Sequence, residues 1–338
     1  MKEVVDEVRR NLLKMGIITI IGSAIGFVAV ECEKLMGLLK PVDKAELLGA
    51  VDKEEYVASI ECAKKKEAEL KKWCIEEAAK LCSERGEQSV ECIEARRRCE
   101  AIHVKATRPR KGVRFAMAID LNKCIGCRHC AYACVMENNQ GRNLNIEWIK
   151  VLGVERKEFP EILGSQLDYE NAPLPNIVYV PIACMHCENP PCVMVCPVKA
   201  TWKESDGIVV VDYDKCIGCR YCMAACPYGA RYFNWAKPVI PVLELNPNMH
   251  ILGNIPRVPH VVEKCTFCIQ RTRDGGIPAC VEACPVGARV FGDLNDPNSP
   301  IRRIIEKYGV YTLKSEAGTR PRLFYFFGPA KSASNQKR

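Results

Sequence analysis

Hydrophobic and polar positions divide the 338-residue chain into stretches of different character. From Met15 to Val30 runs an uncharged, mostly apolar segment of 16 residues. Between residues 42 and 105 Ala, Glu, Lys and Leu dominate, proline is absent and apolar residues recur at helical spacing, which predicts a helical insert. The pattern breaks at Ser83-Glu84-Arg85-Gly86-Glu87, where Gly86 offers a helix end. Residues 114–300 hold recurring groups of cysteines. Residues 301–338 form a C-terminal extension, in which Tyr308–Leu313 and Leu323–Phe327 read as strands joined by the turn-rich Glu316-Ala317-Gly318-Thr319 and Arg320-Pro321.

Composition changes this picture at one residue type. Hydrophobic content of 48% and charged content of 27% describe an ordinary folded chain, but twenty-two cysteines are about four times ordinary usage. In a small secreted chain they would mean a disulfide scaffold. Here the chain is large and most of them stand in tight, repeated groups, a spacing that metal ligands need and disulfides do not. The formal charge of +8 is spread along the chain and includes the basic tail Lys331 to Arg338. No Arg-rich helix or aromatic–basic interleaving accompanies it, which argues against nucleic acid and leaves an acidic partner or anionic lipid.

The N-terminus, residues 1–31, reads as a targeting segment. Arg9-Arg10-Asn11-Leu12-Leu13-Lys14 precedes the apolar run and resembles a twin-arginine export signal. The run is shorter than the roughly 20 residues that span a bilayer. Ala24-Ile25-Gly26 is the best cleavage site; an uncleaved anchor and a buried or peripheral helix are the alternatives.

The insert holds Cys62, Cys74, Cys82, Cys92 and Cys99. Folding its two arms antiparallel about the break brings Cys82 near Cys92 and Cys74 near Cys99. The separations along the arms, eight and seven residues, are about 12 and 10.5 Å of helix rise, so both pairs can form together. A helical hairpin stapled by two disulfides is the expectation, with buried free thiols as the alternative. Cys32 and Cys62 have no obvious partner except each other.

Four groups of cysteines carry the chemistry: Cys124, Cys127, Cys130 and Cys134; Cys184, Cys187, Cys192 and Cys196; Cys216, Cys219, Cys222 and Cys226; and Cys265, Cys268, Cys280 and Cys284. The first and third follow the bacterial ferredoxin run C-x2-C-x2-C-x3-C. The second and fourth stretch one gap but keep the opening and the close. Pro197, Pro227 and Pro285 follow three of the final cysteines, while Val135 breaks that pattern in the first group. A cubane needs four converging thiolates. Three on a tight loop wrap three corners, with Gly126 and Gly218 relieving the turn, and the backbone N–H groups favour the cluster's negative charge. The fourth cysteine opens a helix pointing away and ligates the other cluster of the pair. Zinc is the competing occupant, but it needs no third cysteine at x2 followed by C-x3-C-P. Sixteen ligands make four [4Fe–4S] clusters. The neighbouring His129, His186, His250 and His260 are read as structural rather than as ligands.

With this order and spacing the chain resembles the four-cluster ferredoxin-type subunits of the complex molybdopterin oxidoreductases. Those include the electron-transfer subunits of dimethyl sulfoxide, polysulfide, tetrathionate and nitrate reductases and of formate dehydrogenase. A cousin exported by the twin-arginine route serves a membrane complex linked to dissimilatory sulfite reduction. The resemblance runs from about Arg114 to Phe327. It rests on Cys184-Met-His-Cys-Glu-Asn-Pro-Pro-Cys192, on Cys216-Ile-Gly-Cys-Arg-Tyr-Cys-Met-Ala-Ala-Cys-Pro-Tyr-Gly-Ala230 and on Glu263-Lys-Cys-Thr-Phe-Cys268. Phe291-Gly-Asp-Leu-Asn-Asp-Pro297 and Glu316-Ala-Gly-Thr319 add to it.

The resemblance implies crossed ligation. Cys124, Cys127 and Cys130 would share a cluster with Cys284, and Cys265, Cys268 and Cys280 one with Cys134. Cys184, Cys187 and Cys192 would pair with Cys226, and Cys216, Cys219 and Cys222 with Cys196. Some relatives replace a cysteine of the third group and hold a three-iron cluster; this chain keeps Cys219 and Cys222.

The expected fold is therefore α+β: two pseudo-symmetric 2[4Fe–4S] ferredoxin-like modules of short helices and small antiparallel sheets, with the hairpin and C-terminal extension packed around them. The expected function is single-electron relay, with no catalytic residue on this chain. The partners would be a polytopic quinone-interacting membrane subunit and a molybdopterin catalytic subunit of a respiratory reductase acting on a sulfur compound or similar acceptor. The alternative is a quinone–haem membrane complex without molybdenum, and a free soluble ferredoxin is a third option. An extracytoplasmic address explains both cysteine populations, because the clusters form before export of the folded chain and the spare thiols oxidise after it. Disulfide-rich intracellular proteins of hyperthermophiles are the exception to that inference.

Overall fold

The computed structural model describes residues 53–155, 162–163, 173–174 and 176–329. The Arg9-Arg10 segment, the apolar run to Val30, Cys32, residues 42–52 and the basic tail lie outside the described residues.

Helices α1 (Lys53–Arg85) and α2 (Val90–Glu100) form an antiparallel hairpin. Gly86, at φ +95°, ends α1 and donates its N–H to the Cys82 carbonyl at 2.8 Å. Ser89 caps α2 by accepting the Cys92 N–H at 3.1 Å. The facing stripes are small: Cys74, Ala78 and Cys82 meet Cys92, Ala95 and Cys99, all buried. That lets the backbones approach closely. Cys74 is bonded to Cys99 and Cys82 to Cys92, with Cα atoms 5.4 and 4.9 Å apart.

The helical stretch stops at Glu100 and does not continue to residue 105. His103–Lys105 instead form strand β1, parallel to β9 (Asn248–His250). The Val104 side chain turns into a core with Ile102, Tyr213, Leu245 and Met249, and its amide donates to Glu67 at 3.0 Å. Arg98 reaches across to the Leu245 carbonyl at 3.0 Å. The hairpin is thereby fastened to the body of the protein.

Strand β2 (Phe115–Asp120) is central to a three-stranded sheet, antiparallel to β11 (Arg289–Asp293) and parallel to β12 (Leu323–Phe326). All six of its residues are buried, because both faces are covered. Phe115, Met117 and Ile119 meet the main core with Leu323 and Tyr325, while Ala116 and Ala118 meet Ile301 and Phe326. Ile301 comes from α8 (Pro300–Lys307). A second sheet runs β4 (Ile162–Leu163), β3 (Lys150–Glu155), β5 (Ile177–Ile182), all antiparallel. Strands β6 (Thr201–Lys203) and β7 (Val209–Val211) form a hairpin, and β8 (Tyr232–Phe233) pairs with β10 (Val262–Glu263).

Two expectations are corrected. The small sheets are not all antiparallel, since β12 and β1 pair parallel with their neighbours. Tyr308–Leu313 is not a strand. Only Tyr311 bridges to Tyr325, on the edge of β12 opposite β2, while Tyr308 stacks on Phe326 instead. Among the described residues no helix is long and apolar enough to cross a membrane.

Candidate metal centres

The cysteines sit on loops and single helical turns between these strands. Helix α3 (His129–Glu137) carries Cys130 and Cys134; the one-turn helices α4 (Pro191–Met194), α5 (Tyr221–Ala224) and α7 (Ala279–Glu282) carry Cys192, Cys222 and Cys280. The turn α6 (Ile269–Thr272) begins directly after Cys268.

The first and third loops are built alike. Asp120 accepts the Asn122 N–H at 3.0 Å while its carbonyl accepts from Cys124 at 3.1 Å; Asp212 does the same for Asp214 at 3.0 Å and Cys216 at 3.1 Å. These turns aim the first thiol, and the repeated Asp-x-Asn/Asp-Lys-Cys of residues 120–124 and 212–216 is a signal that spacing alone missed. Two residues past each first cysteine the chain turns through positive φ at Gly126 (+74°) and Gly218 (+69°). A Cβ at Gly126 would sit 2.5 Å from the Tyr179 ring, and one at Gly218 would strike the His260 carbonyl, so both positions need glycine twice over. Arg128 and Arg220 then take the left-handed conformation that starts the helical turn.

The four groups interleave. Cys124, Cys127 and Cys130 line one space together with Cys284. Cys184, Cys187 and Cys192 line another with Cys226. Cys134 lies among Cys265, Cys268 and Cys280, and Cys222 lies beside Cys216. Cys219 is exposed and Cys196 half-buried. The sets also adjoin in series: Cys130 neighbours Cys280, Cys184 neighbours Cys265, and Cys192 neighbours Cys222.

Burial, and then the neighbouring sulfurs, make eight of these thiols reluctant acids: Cys124, Cys134, Cys187, Cys222, Cys226, Cys265, Cys268 and Cys280. Burial pushes Cys124 up to about 11, and Cys187 and Cys265 up to about 12, with neighbouring sulfurs adding to it. Cys134 and Cys268 are driven higher still by burial and by the sulfurs around them. Four crowded, dry thiolates become stable only when a cation replaces their protons. The donors are all sulfur, the four-cysteine set that usually holds a [4Fe–4S] cluster. His186 is buried but stacks on Phe267, His250 is buried against the backbone, and His129 and His260 are exposed; none joins a sulfur set. The residues present fit cubane clusters.

Polar groups close around the sulfurs. Gln140 Nε2 lies 3.4 Å and Asn138 Nδ2 3.5 Å from Cys134 Sγ, and Arg231 Nη2 lies 3.0 Å from Cys192 Sγ. Arg231 and Arg289 each end a Cys-Pro-x-Gly-Ala-Arg segment, a repeat that the spacing of the cysteines does not disclose.

Two models of a 4Fe-4S dicluster domain match the chain, over residues 175–242 and 215–288. A Halobacterium salinarum protein, provisionally named as the iron-sulfur subunit of a dimethyl sulfoxide reductase, is 45% identical over 216 residues, covering 63% of this chain and 79% of the relative. The chain belongs to the family of four-cluster iron–sulfur subunits of respiratory reductases. A tetrathionate reductase subunit of Salmonella typhimurium is 40% identical over 63% of this chain and 72% of its own length. The Hdr-like menaquinol oxidoreductase iron-sulfur subunit 1 of Archaeoglobus fulgidus is 40% identical over 63% of this chain and 82% of its own length. As a member of this family the chain carries four [4Fe–4S] clusters and transfers electrons as part of an oxidoreductase complex.

Proposed function

We propose that this subunit relays single electrons between a membrane quinone-linked partner and a molybdopterin catalytic subunit of a respiratory reductase. The observation that supports the reading is the serial proximity of the four sulfur sets, first to second, second to third and third to fourth. In this reading the ligand sets are Cys124, Cys127, Cys130 and Cys284 (cluster 1); Cys134, Cys265, Cys268 and Cys280 (cluster 2); Cys184, Cys187, Cys192 and Cys226 (cluster 3); and Cys196, Cys216, Cys219 and Cys222 (cluster 4). They divide between two pseudo-symmetric modules. The bound clusters would supply the redox chemistry, and the chain holds their ligands close together, with polar side chains beside Cys134 and Cys192, which tunes their potentials.

The address proposed is the extracytoplasmic face of the membrane, reached by the twin-arginine route. The two disulfides of the α1–α2 hairpin support an oxidising compartment.

A second reading has its own support: relatives named as menaquinol oxidoreductase and menaquinone reductase subunits, at 40% and 38% identity. There the chain serves a quinone–haem complex without molybdenum. Anaerobic purification of the native complex in mild detergent, with metals and subunits quantified, decides. Molybdenum with a large subunit supports the first reading; covalent haem with a polytopic subunit and no molybdenum replaces it with the second.

A further inference from the structure

Six arginines are buried among the described residues, and five of them, Arg128 aside, separate into two kinds by what neutralises them. Arg257, Arg273 and Arg322 have carboxylates, with Nε 2.9 Å from Glu263, 2.9 Å from Asp206 and 3.4 Å from Glu188. Arg231 and Arg289, each 4% exposed, have no carboxylate within ion-pair distance among the described residues. Their neighbours are sulfur. Arg231 places Nη2 3.0 Å from Cys192 Sγ and 2.9 Å from Thr201 Oγ1, with Cys222 and Cys184 its next ionisable neighbours. Arg289 places Nη1 3.9 Å from Cys280 Sγ and 3.4 Å from Met117 Sδ, with Cys130 and Cys124 alongside. Arg231 Nε and Arg289 Nη2 find no hydrogen-bond acceptor among the described residues.

An unpaired guanidinium buried in this way is costly, so its counter-charge must be held by something close. Among the described residues the anionic candidates in reach are the cysteine thiolates and what they bind. Each arginine, moreover, stands beside two ligand sets and not one. Cys192 and Cys222 belong to clusters 3 and 4; Cys280 and Cys130 belong to clusters 2 and 1. The two arginines occupy matching places in the chain, ending Cys226-Pro-Tyr-Gly-Ala-Arg231 and Cys284-Pro-Val-Gly-Ala-Arg289.

We propose that Arg231 and Arg289 are potential-setting residues, each a buried cation shared by two neighbouring clusters and raising the potentials of both together. The inference rests on the ligand sets proposed above. Reduction adds one electron and therefore one negative charge to a cluster, and a fixed positive charge in a dry site favours the more negative state. Because one cation shifts both potentials in the same direction, it changes the level of the pair more than the step between its two clusters.

The test is a redox titration of the purified holo-complex, with each cluster followed by electron paramagnetic resonance and iron counted in every sample. Arg231→Gln should reduce the equilibrium constant for one-electron reduction of clusters 3 and 4 at least tenfold, a fall of 59 mV per decade, and leave clusters 1 and 2 within threefold. Arg289→Gln should do the reverse. Arg231→Lys and Arg289→Lys keep the charge and should recover most of the shift. Full iron with all four potentials unchanged, a shift confined to one cluster, or lysine variants no better than glutamine would overturn the proposal. Where a glutamine variant loses iron, the lysine variant decides: full loading with near-native potentials supports the charge role, and loss of iron there too leaves only a packing role and overturns it. Metal and subunit composition test the relay reading separately, and a shift in a different pair of clusters would indict the ligand sets instead.

Discussion

His186 and Phe267 stack face to face, with ring centroids 3.8 Å apart and planes 21° apart. His186 lies between Cys184 and Cys187, and Phe267 between Cys265 and Cys268, so the stack joins the loops of two neighbouring sulfur sets. Both rings are buried; His186 Nδ1 accepts the Val209 N–H at 3.1 Å, and Phe267 meets the edge of Phe291. The contact holds the two cysteine loops against each other. Phe267→Ala should cost about 3–5 kcal/mol. It should appear as an earlier denaturant midpoint for loss of the visible cluster absorbance; an unchanged midpoint would show that the stack holds nothing.

The Arg257–Glu263 pair is buried on both sides, with Arg257 also resting 4.7 Å above the Trp148 ring. Burial raises the Glu263 carboxyl, against the pull of Arg257. Glu263→Ala strands a charge and should destabilise by about 3–5 kcal/mol, whereas Arg257→Met with Glu263→Leu should recover most of the loss. Denaturant melts of the two variants check this. Because Glu263 stands two residues before Cys265, the single variant should also bind less iron.

The hairpin disulfides should be visible by peptide mapping without reductant, as linked peptides containing Cys74 with Cys99 and Cys82 with Cys92. Finding these four alkylatable as free thiols would contradict the structure. The Cys74–Cys99 bond closes a sequence separation of 25, which corresponds to roughly 3 kcal/mol of stabilisation. Cys74→Ala with Cys99→Ala should therefore loosen the hairpin in hydrogen exchange while leaving iron content intact.

Burial, aided by Arg273, holds the His250 imidazole down to about 3 from 6.5. Lys105 also lowers it, and only the backbone at Thr107 works the other way. The ring instead accepts the Leu252 N–H at 3.1 Å. Between those two values the unfolded chain takes a proton that the native chain refuses. Stability is then full above about 6.5 and falls as pH drops, by about 1.4 kcal/mol per unit from this group. His250→Gln should flatten that part of the acid limb; parallel acid limbs in urea melts of the two proteins would rule it out.

How much was legible in the sequence follows from the range of each interaction. The cysteine loops are local, three thiols within seven to sixteen residues, so spacing alone exposes their chemistry. The hairpin arms carry their own period and break, and pairing two helices antiparallel is simple arithmetic on rise per residue. Strand partners were less legible: β12 lies parallel to β2 across about 200 residues, and a strand is needed on each side because the buried β2 must pair the backbone groups along both its edges. The turns at Asp120 and Asp212 and the repeats ending in Arg231 and Arg289 were present as motifs but lacked meaning until their contacts were known.

By itself, then, the sequence determined the donor type, the number of donors and their grouping into four loops, because a metal ligand must be the right atom at the right local spacing. The tertiary structure decided what surrounds those donors. Whether a buried arginine faces a carboxylate, as Arg257 does, or sulfur, as Arg231 does, depends on chain segments that meet only on folding. A counter-charge acts through space and leaves no period in the chain to be read.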